Sequence, residues 1–133
     1  MIVVDTNVIA YLFLSSDRSS LAEGAFRKDP GWAAPFLWRS EMRIALASYI
    51  RKHLLSVGDA HQIMETAANL MRGSEYELTS LHVLSLVAAS ACSAYDCEFV
   101  ALAEDLGVPL VTVDQQILDQ FPKVAISLES FSK

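Results

Sequence analysis

Cysteine is scarce in this chain: Cys92 and Cys97 are the only two. A disulfide scaffold needs more, and a five-residue step along a helix would put these two on different faces, too far apart to bridge. They read as small, reduced core fillers. A zinc site would want more Cys or His at tight spacing, and His53, His61 and His82 show no such pattern. Long apolar runs are missing too. The longest, Val8 to Leu14, has seven residues, against the roughly 20 that a membrane helix requires. No basic segment precedes the opening apolar run, so no secretory leader is expected and the protein is expected to be cytoplasmic. Glycine and proline number five and four. With no linker rich in either and no internal repeat, one continuous domain over residues 1–133 is expected.

Positive charge is also in short supply. Ten Lys and Arg stand against sixteen Asp and Glu, a formal net charge of −6. That excludes a nucleic-acid binder working by bulk attraction, since such domains are usually basic. It leaves room for acids gathered round a cation and for a local basic stripe. What the chain has in quantity is apolar residues, 53% of the total. A chain of this size buries roughly two-thirds of its unfolded surface.

The apolar residues fall into alternating short runs and helical repeats. Ile2 to Val4 is a β-branched strand ending in Asp5-Thr6-Asn7, after which Val8, Ile9, Leu12 and Phe13 recur at helical spacing. A second helix is predicted from Ser19 to Lys28, stopped by Asp29-Pro30-Gly31, and a strand over Trp32 to Ala34. Leu37 to Leu55 reads as a long amphipathic helix with Arg39, Arg43 and Arg51 in a stripe apart from its apolar face. Val57-Gly58-Asp59 breaks it, and Asp59 is expected to cap the next helix. A strand over Tyr76 to Thr79, a nearly all-apolar buried helix from Leu81 to Ser90, and a helix from Ser93 to Leu106 closed by Gly107 follow. Pro109 to Val113 and Val124 to Leu128 complete the strands. Short apolar strands separated by helices predict an α/β sandwich around a parallel sheet, with ligands beyond the carboxyl ends of the strands.

Asp5 and Asp114 each follow a strand too apolar for the surface, which puts both at that rim. Glu41 lies about 200° round its helix from Arg39 and Arg43, away from the basic stripe. Asp96 interrupts an apolar helix, one turn after Ser93. If the four converge, each like-charge pair at about 5 Å costs roughly 3 kcal/mol at an effective dielectric near 20. A hard cation with oxygen ligands, Mg²⁺ or Mn²⁺, would offset that and could activate water against a phosphodiester. The hydroxyls of Thr6 and Ser93 could hold a carboxylate or a water. Each acid also has a plainer reading: Asp5 and Asp114 as helix N-caps, Glu41 as a surface residue, Asp96 as a first-turn acid. The arginine stripe read alone is a solvated face more often than an RNA groove, and Trp32 and Trp38 read as core or dimer-interface residues. Asp17, Glu98 and Asp119 read as solvated charges, Asp119 with an outside chance of being an accessory ligand.

Ile2-Val3-Val4-Asp5-Thr6-Asn7, Glu41 early in a long helix, Ser93-Ala94-Tyr95-Asp96 before Phe99-Val100-Ala101-Leu102-Ala103, and Leu110-Val111-Thr112-Val113-Asp114 together resemble a PIN domain. The order and spacing are most similar to the VapC toxins of VapBC toxin-antitoxin modules, over essentially the whole chain. The resemblance implies a three-layer α/β/α sandwich with a mostly parallel sheet of four to five strands. It implies a Mg²⁺-dependent endoribonuclease cutting tRNA or rRNA, homodimeric, and inhibited by a VapB antitoxin whose C-terminal segment fills the active-site groove. Its acidic quartet falls on Asp5, Glu41, Asp96 and Asp114, its polar helpers on Thr6, Asn7 and Ser93, with Arg39 and Arg43 as candidates for RNA. Gln115 departs from the basic or small residue many relatives carry after the last acid. Two alternatives remain at this stage: a binding or scaffolding module on the same fold, and a phosphatase using Asp5 as phosphoacceptor. The phosphatase would want a second Asp where this chain has Asn7.

Overall fold

The computed structural model describes residues 1–133. Five strands form one sheet: β1 (Ile2–Val4), β2 (Trp32–Pro35), β3 (Glu75–Tyr76), β4 (Leu110–Thr112) and β5 (Ala125–Ser127). Their order is β3-β2-β1-β4-β5 and every pairing is parallel. Parallel neighbours need crossovers, and eight helices are present: α1 (Thr6–Phe13), α2 (Ser19–Lys28), α3 (Trp38–Arg51), α4 (Val57–Met71), α5 (Ser80–Ala88), α6 (Ala94–Leu106), α7 (Gln115–Gln120) and α8 (Leu128–Phe131). Right-handed crossovers from β1 out to β3 put α1 to α4 on one face, and the return to β4 puts α5 and α6 on the other. The packing agrees: α1 touches α2, α3 and α4, whereas α6 packs on α5 and lies across β1, β2 and β4.

Sheet faces covered on both sides explain why β1, β2 and β4 are apolar runs rather than alternating, Thr112 in β4 being the exception. All their residues are buried. Trp32 and Trp38 both belong to this core, at 2% and 0% exposure, which settles their reading as interior side chains. Cys92 and Cys97 are buried free thiols, as expected.

Several predicted boundaries move. Helix α1 begins one residue after Asp5, whose side chain accepts from the Thr6 amide. Ser56, not Asp59, caps α4, so Val57-Gly58-Asp59 forms its first turn instead of a break. The third strand is Glu75–Tyr76 rather than Tyr76 to Thr79, because Thr79 is taken up capping α5. The larger correction is α5 itself. It was expected to be buried all round, yet it contains no buried residue, and Leu81 and Leu84 are 78% and 61% exposed. It lies outside α6, which already covers the sheet, so only one of its sides has anything to pack on.

Candidate active site

The chain order reverses at β1: β2 and β3 add on one side and β4 and β5 on the other. At such a switch point the connections leave in opposite directions and a crevice opens at the carboxyl ends of the two central strands. Asp5 follows β1 and Asp114 comes two residues past the end of β4, so the crevice is flanked by both. Register holds them together, since Val4 pairs with Val111 and the Asp5 amide donates to the Val111 carbonyl at 3.0 Å. Helix α3 brings Glu41 to the same place and the first turn of α6 brings Asp96. Asp5, Glu41, Asp96 and Asp114 line one cavity of about 360 Å³ together with Thr6, Asn7, Ala10, Ile44 and Ala45. No Lys, Arg or His is in that lining.

The neutral partners are specific. Asp5 is 7% exposed; its Oδ1 accepts from the Thr6 amide at 2.8 Å and its Oδ2 from the Thr112 hydroxyl at 2.7 Å. The Thr6 hydroxyl donates to Glu41 Oε1 at 2.7 Å, tying α3 to the start of α1. Ser93 caps α6, accepting from the Asp96 amide at 3.1 Å. Asp114 Oδ1 accepts from the Gln116 and Ile117 amides at 2.9 and 3.2 Å. Asp5 and Asp114 are therefore helix N-caps that also line the cavity.

Burial dominates the electrostatics. It pushes the Asp5 carboxyl up to about 6, against the pull of the Thr112 and Thr6 hydrogen bonds and with Glu41 and Asp96 adding to the rise. Glu41 is raised by burial and by Asp96, and Asp96 by burial and by Asp114. Three carboxyls displaced upward in one cleft, with no basic neighbour, form a cluster that resists carrying its full charge alone.

The basic candidates divide. Arg39 is held in a two-pronged pair, Nε to Glu75 Oε2 at 2.6 Å and Nη2 to Oε1 at 2.7 Å, and Trp38 Nε1 donates to the same Oε2 at 2.8 Å. That arrangement anchors α3 to β3 and occupies the guanidinium. Arg43 is exposed and bordered by the groove between α3 and α4. Asn7 is exposed at the cavity, while Asp119 stands outside it, bonded to Gln115 Nε2 at 2.7 Å.

Two residues were overlooked. Thr112 is wholly buried; besides holding Asp5 it accepts from the Asp114 amide at 3.0 Å, so one hydroxyl joins the two strand-end acids. A hydroxyl inside an otherwise apolar strand was the signal. Glu98, read as a solvated charge, is half-buried and raised by burial and by Glu41.

A doubly covered parallel sheet with an acidic cavity that no basic side chain lines, at its switch point, defines the class, an α/β protein that gathers carboxylates at the carboxyl edge. Comparison with known proteins gives the family: the PIN domain model matches residues 2–125, and the chain belongs to that family. It is 28% identical over 124 residues to "Ribonuclease VapC3" of Pyrobaculum aerophilum, covering 91% of this chain and 95% of that protein. Its fold is that of the crystal structure of PAE2754 from Pyrobaculum aerophilum, with a TM-score of 0.77 at 21% identity, covering 98% of this chain and 92% of the other.

Proposed function

We propose that this chain is a metal-dependent endoribonuclease of the VapC kind. The observation that carries the reading is the gathering of Asp5, Glu41, Asp96 and Asp114 round one cavity that holds no basic side chain. Membership of the PIN family and likeness to a protein named as a ribonuclease support it. The donor set fits a hard divalent cation, Mg²⁺ or Mn²⁺, since every polar group lining the cavity offers oxygen. No three of the acids stand close enough to cage an ion by themselves, an open arrangement suited to a cation that keeps several of its waters.

When bound, the cation would neutralise charge on the phosphodiester and ease deprotonation of the attacking water. The chain's own residues do the rest. Thr6 and Thr112 fix the two oxygens of Asp5, so that acid faces the cavity without rotational freedom. Thr6 fixes Glu41 in the same way from the other side. Asp114 has one oxygen engaged by amides of α7, and its second is available to orient a water. Asp96 is the other candidate for that duty, standing between Ser93 and the remaining acids.

The same proposal takes in action in the cytoplasm, a homodimer and a VapB-type antitoxin. No helix is long and apolar enough to cross a membrane. Leu81 and Leu84 leave apolar surface for a second copy to cover, and the apolar groove between α3 and α4, with Arg43 at its edge, offers a seat for a peptide carrying an acid. The test is cleavage of total cellular RNA in Mg²⁺ and in chelator, by the wild type and by Asp5→Asn. The variant should lose at least about 100-fold, because the charge stabilisation concerned is worth several kcal/mol. Equal activity in the two proteins would return the phosphatase or scaffolding reading to the front.

A further inference from the structure

A second cavity, of about 220 Å³, opens at the carboxyl edge of the sheet on the β5 side of Asp114. Val113 and Gln115, the chain neighbours of Asp114, both line it, while Asp114 itself lines the acidic cavity. Neighbouring Cα atoms are about 3.8 Å apart, so the two cavities abut at that residue. Arg18, at the head of α2, and Glu129, in the first turn of α8, belong to the same lining. They carry opposite charges, yet neither takes part in any of the chain's salt bridges. The Arg18 guanidinium lies 5.9 Å from the centre of the Tyr11 ring, a contact that leaves its N–H donors free.

The lining dictates the occupant. A planar guanidinium with free donors suits the oxygens of a phosphate. Glu129 only accepts, so the same ligand must also present a donor. Ser127 Oγ accepts from the Ser130 amide at 3.1 Å and keeps its own proton to give. Leu21, Leu118 and Leu128 add apolar wall that a bare phosphate would leave uncovered. Phosphate, hydroxyl and apolar face occur together in a ribonucleotide, and the 2′-hydroxyl is the group by which proteins tell RNA from DNA. A strand of RNA crossing the four acids would lay its next nucleotide here, because the cavities abut at Asp114.

We infer that this cavity is a ribonucleotide subsite, in which Arg18 holds the phosphate next to the one that is cut and Glu129 accepts from the ribose 2′-hydroxyl. Its place on the RNA path rests on the ribonuclease reading; its binding of a nucleotide does not. Both side chains are positioning residues. The experiment begins with NMR titration of the protein, in chelator, with nucleoside 5′- and 3′-monophosphates, their 2′-deoxy forms, bare nucleosides and inorganic phosphate. Chelator removes any divalent ion that could bridge a nucleotide to the acidic cavity. The amide signals of Gln115 and Ser127 should move saturably with the ribonucleotides. Affinity should be at least about fivefold weaker for each of the other ligands, as loss of one charge-assisted hydrogen bond implies. Arg18→Gln should remove the gain given by the phosphate and Glu129→Gln the gain given by the 2′-hydroxyl, both at the wild-type melting temperature, and Arg18→Lys should keep part of the first. In Mg²⁺, Arg18→Gln should raise KM for RNA about 5- to 10-fold and leave kcat within about twofold.

Nucleotides that leave the Gln115 and Ser127 signals unmoved would overturn the inference, as would binding that neither substitution weakens. Nucleotide binding with an unchanged KM for RNA would make this a site for free nucleotides and end its assignment to the RNA path. Selective ribonucleotide binding by a wild type that cuts no RNA would uphold the subsite and defeat the ribonuclease reading instead. Should Arg18→Gln melt early, the 2′-deoxy comparison in Glu129→Gln decides: a preference for ribose that survives there refutes the subsite.

Discussion

Replacing Asp5 by Asn should stabilise the cation-free protein while destroying the proposed activity. The Asp5 carboxyl stands at about 6 instead of 3.8, chiefly because it is buried. A group whose folded value lies above its unfolded one contributes its stability at pH below 3.8 and loses it as pH rises through about 6. Two units of displacement make ionised Asp5 a burden of about 3 kcal/mol at pH 7.5. Asparagine removes the charge and keeps the shape. It also gives up one of two accepting oxygens, those now serving Thr6 and Thr112, at a cost of about 1–2 kcal/mol. The net gain is about 1–2 kcal/mol, or about 3–6 °C in Tm for a domain of this size. Thermal melts in chelator at pH 7.5 and pH 5 read it, and the advantage should shrink at pH 5, where folded wild type holds the proton. Mg²⁺ should then raise the wild type and leave the variant in place. A variant less stable than wild type by the same margin at both pH values would refute the reasoning, since the charge would then carry no burden.

Thr112→Val should be destabilised by about 1–3 kcal/mol, because it leaves a buried Asp5 oxygen and the Asp114 amide without their hydroxyl. RNA cleavage should fall by about 10- to 100-fold with it, and Thr112→Ser should restore most of both; a serine variant as poor as the valine one would make shape, not the hydroxyl, the important property. Arg43→Glu should weaken RNA binding and lower the slope of log affinity against log salt by about one. An unchanged slope would assign Arg43 to a plain solvated face. Arg39 is the wrong residue for that experiment, since its replacement would unpair Glu75 and Trp38.

The strands and the two acids at their ends were legible in the sequence because burial on both faces leaves a continuous apolar run, and the acid that ends it stands out. Gly107 was legible for a local reason: it sits in the left-handed region at φ 66° directly after α6. Other features depend on partners far along the chain. Nothing near Arg39 announces Glu75, and nothing near Thr112 announces Asp5. The exposure of α5 was hidden for a related reason. Periodicity tells that a helix is apolar, and only the order of layers tells whether anything remains to cover it. Glu98 escaped notice because one acid on a helix is ordinary until its neighbours are known to bury part of it.

The most direct measurement of whether the four acids share a divalent cation is a titration of the protein with Mn²⁺ alone, followed by the electron spin resonance of the free ion, at pH 7.5. Saturable binding is expected in the wild type, weakened at least about tenfold in Asp5→Asn and in Asp96→Asn, as loss of a buried charged ligand implies. The same affinity in all three proteins, or RNA cleavage that persists unaltered in chelator, would contradict a shared cation at this site.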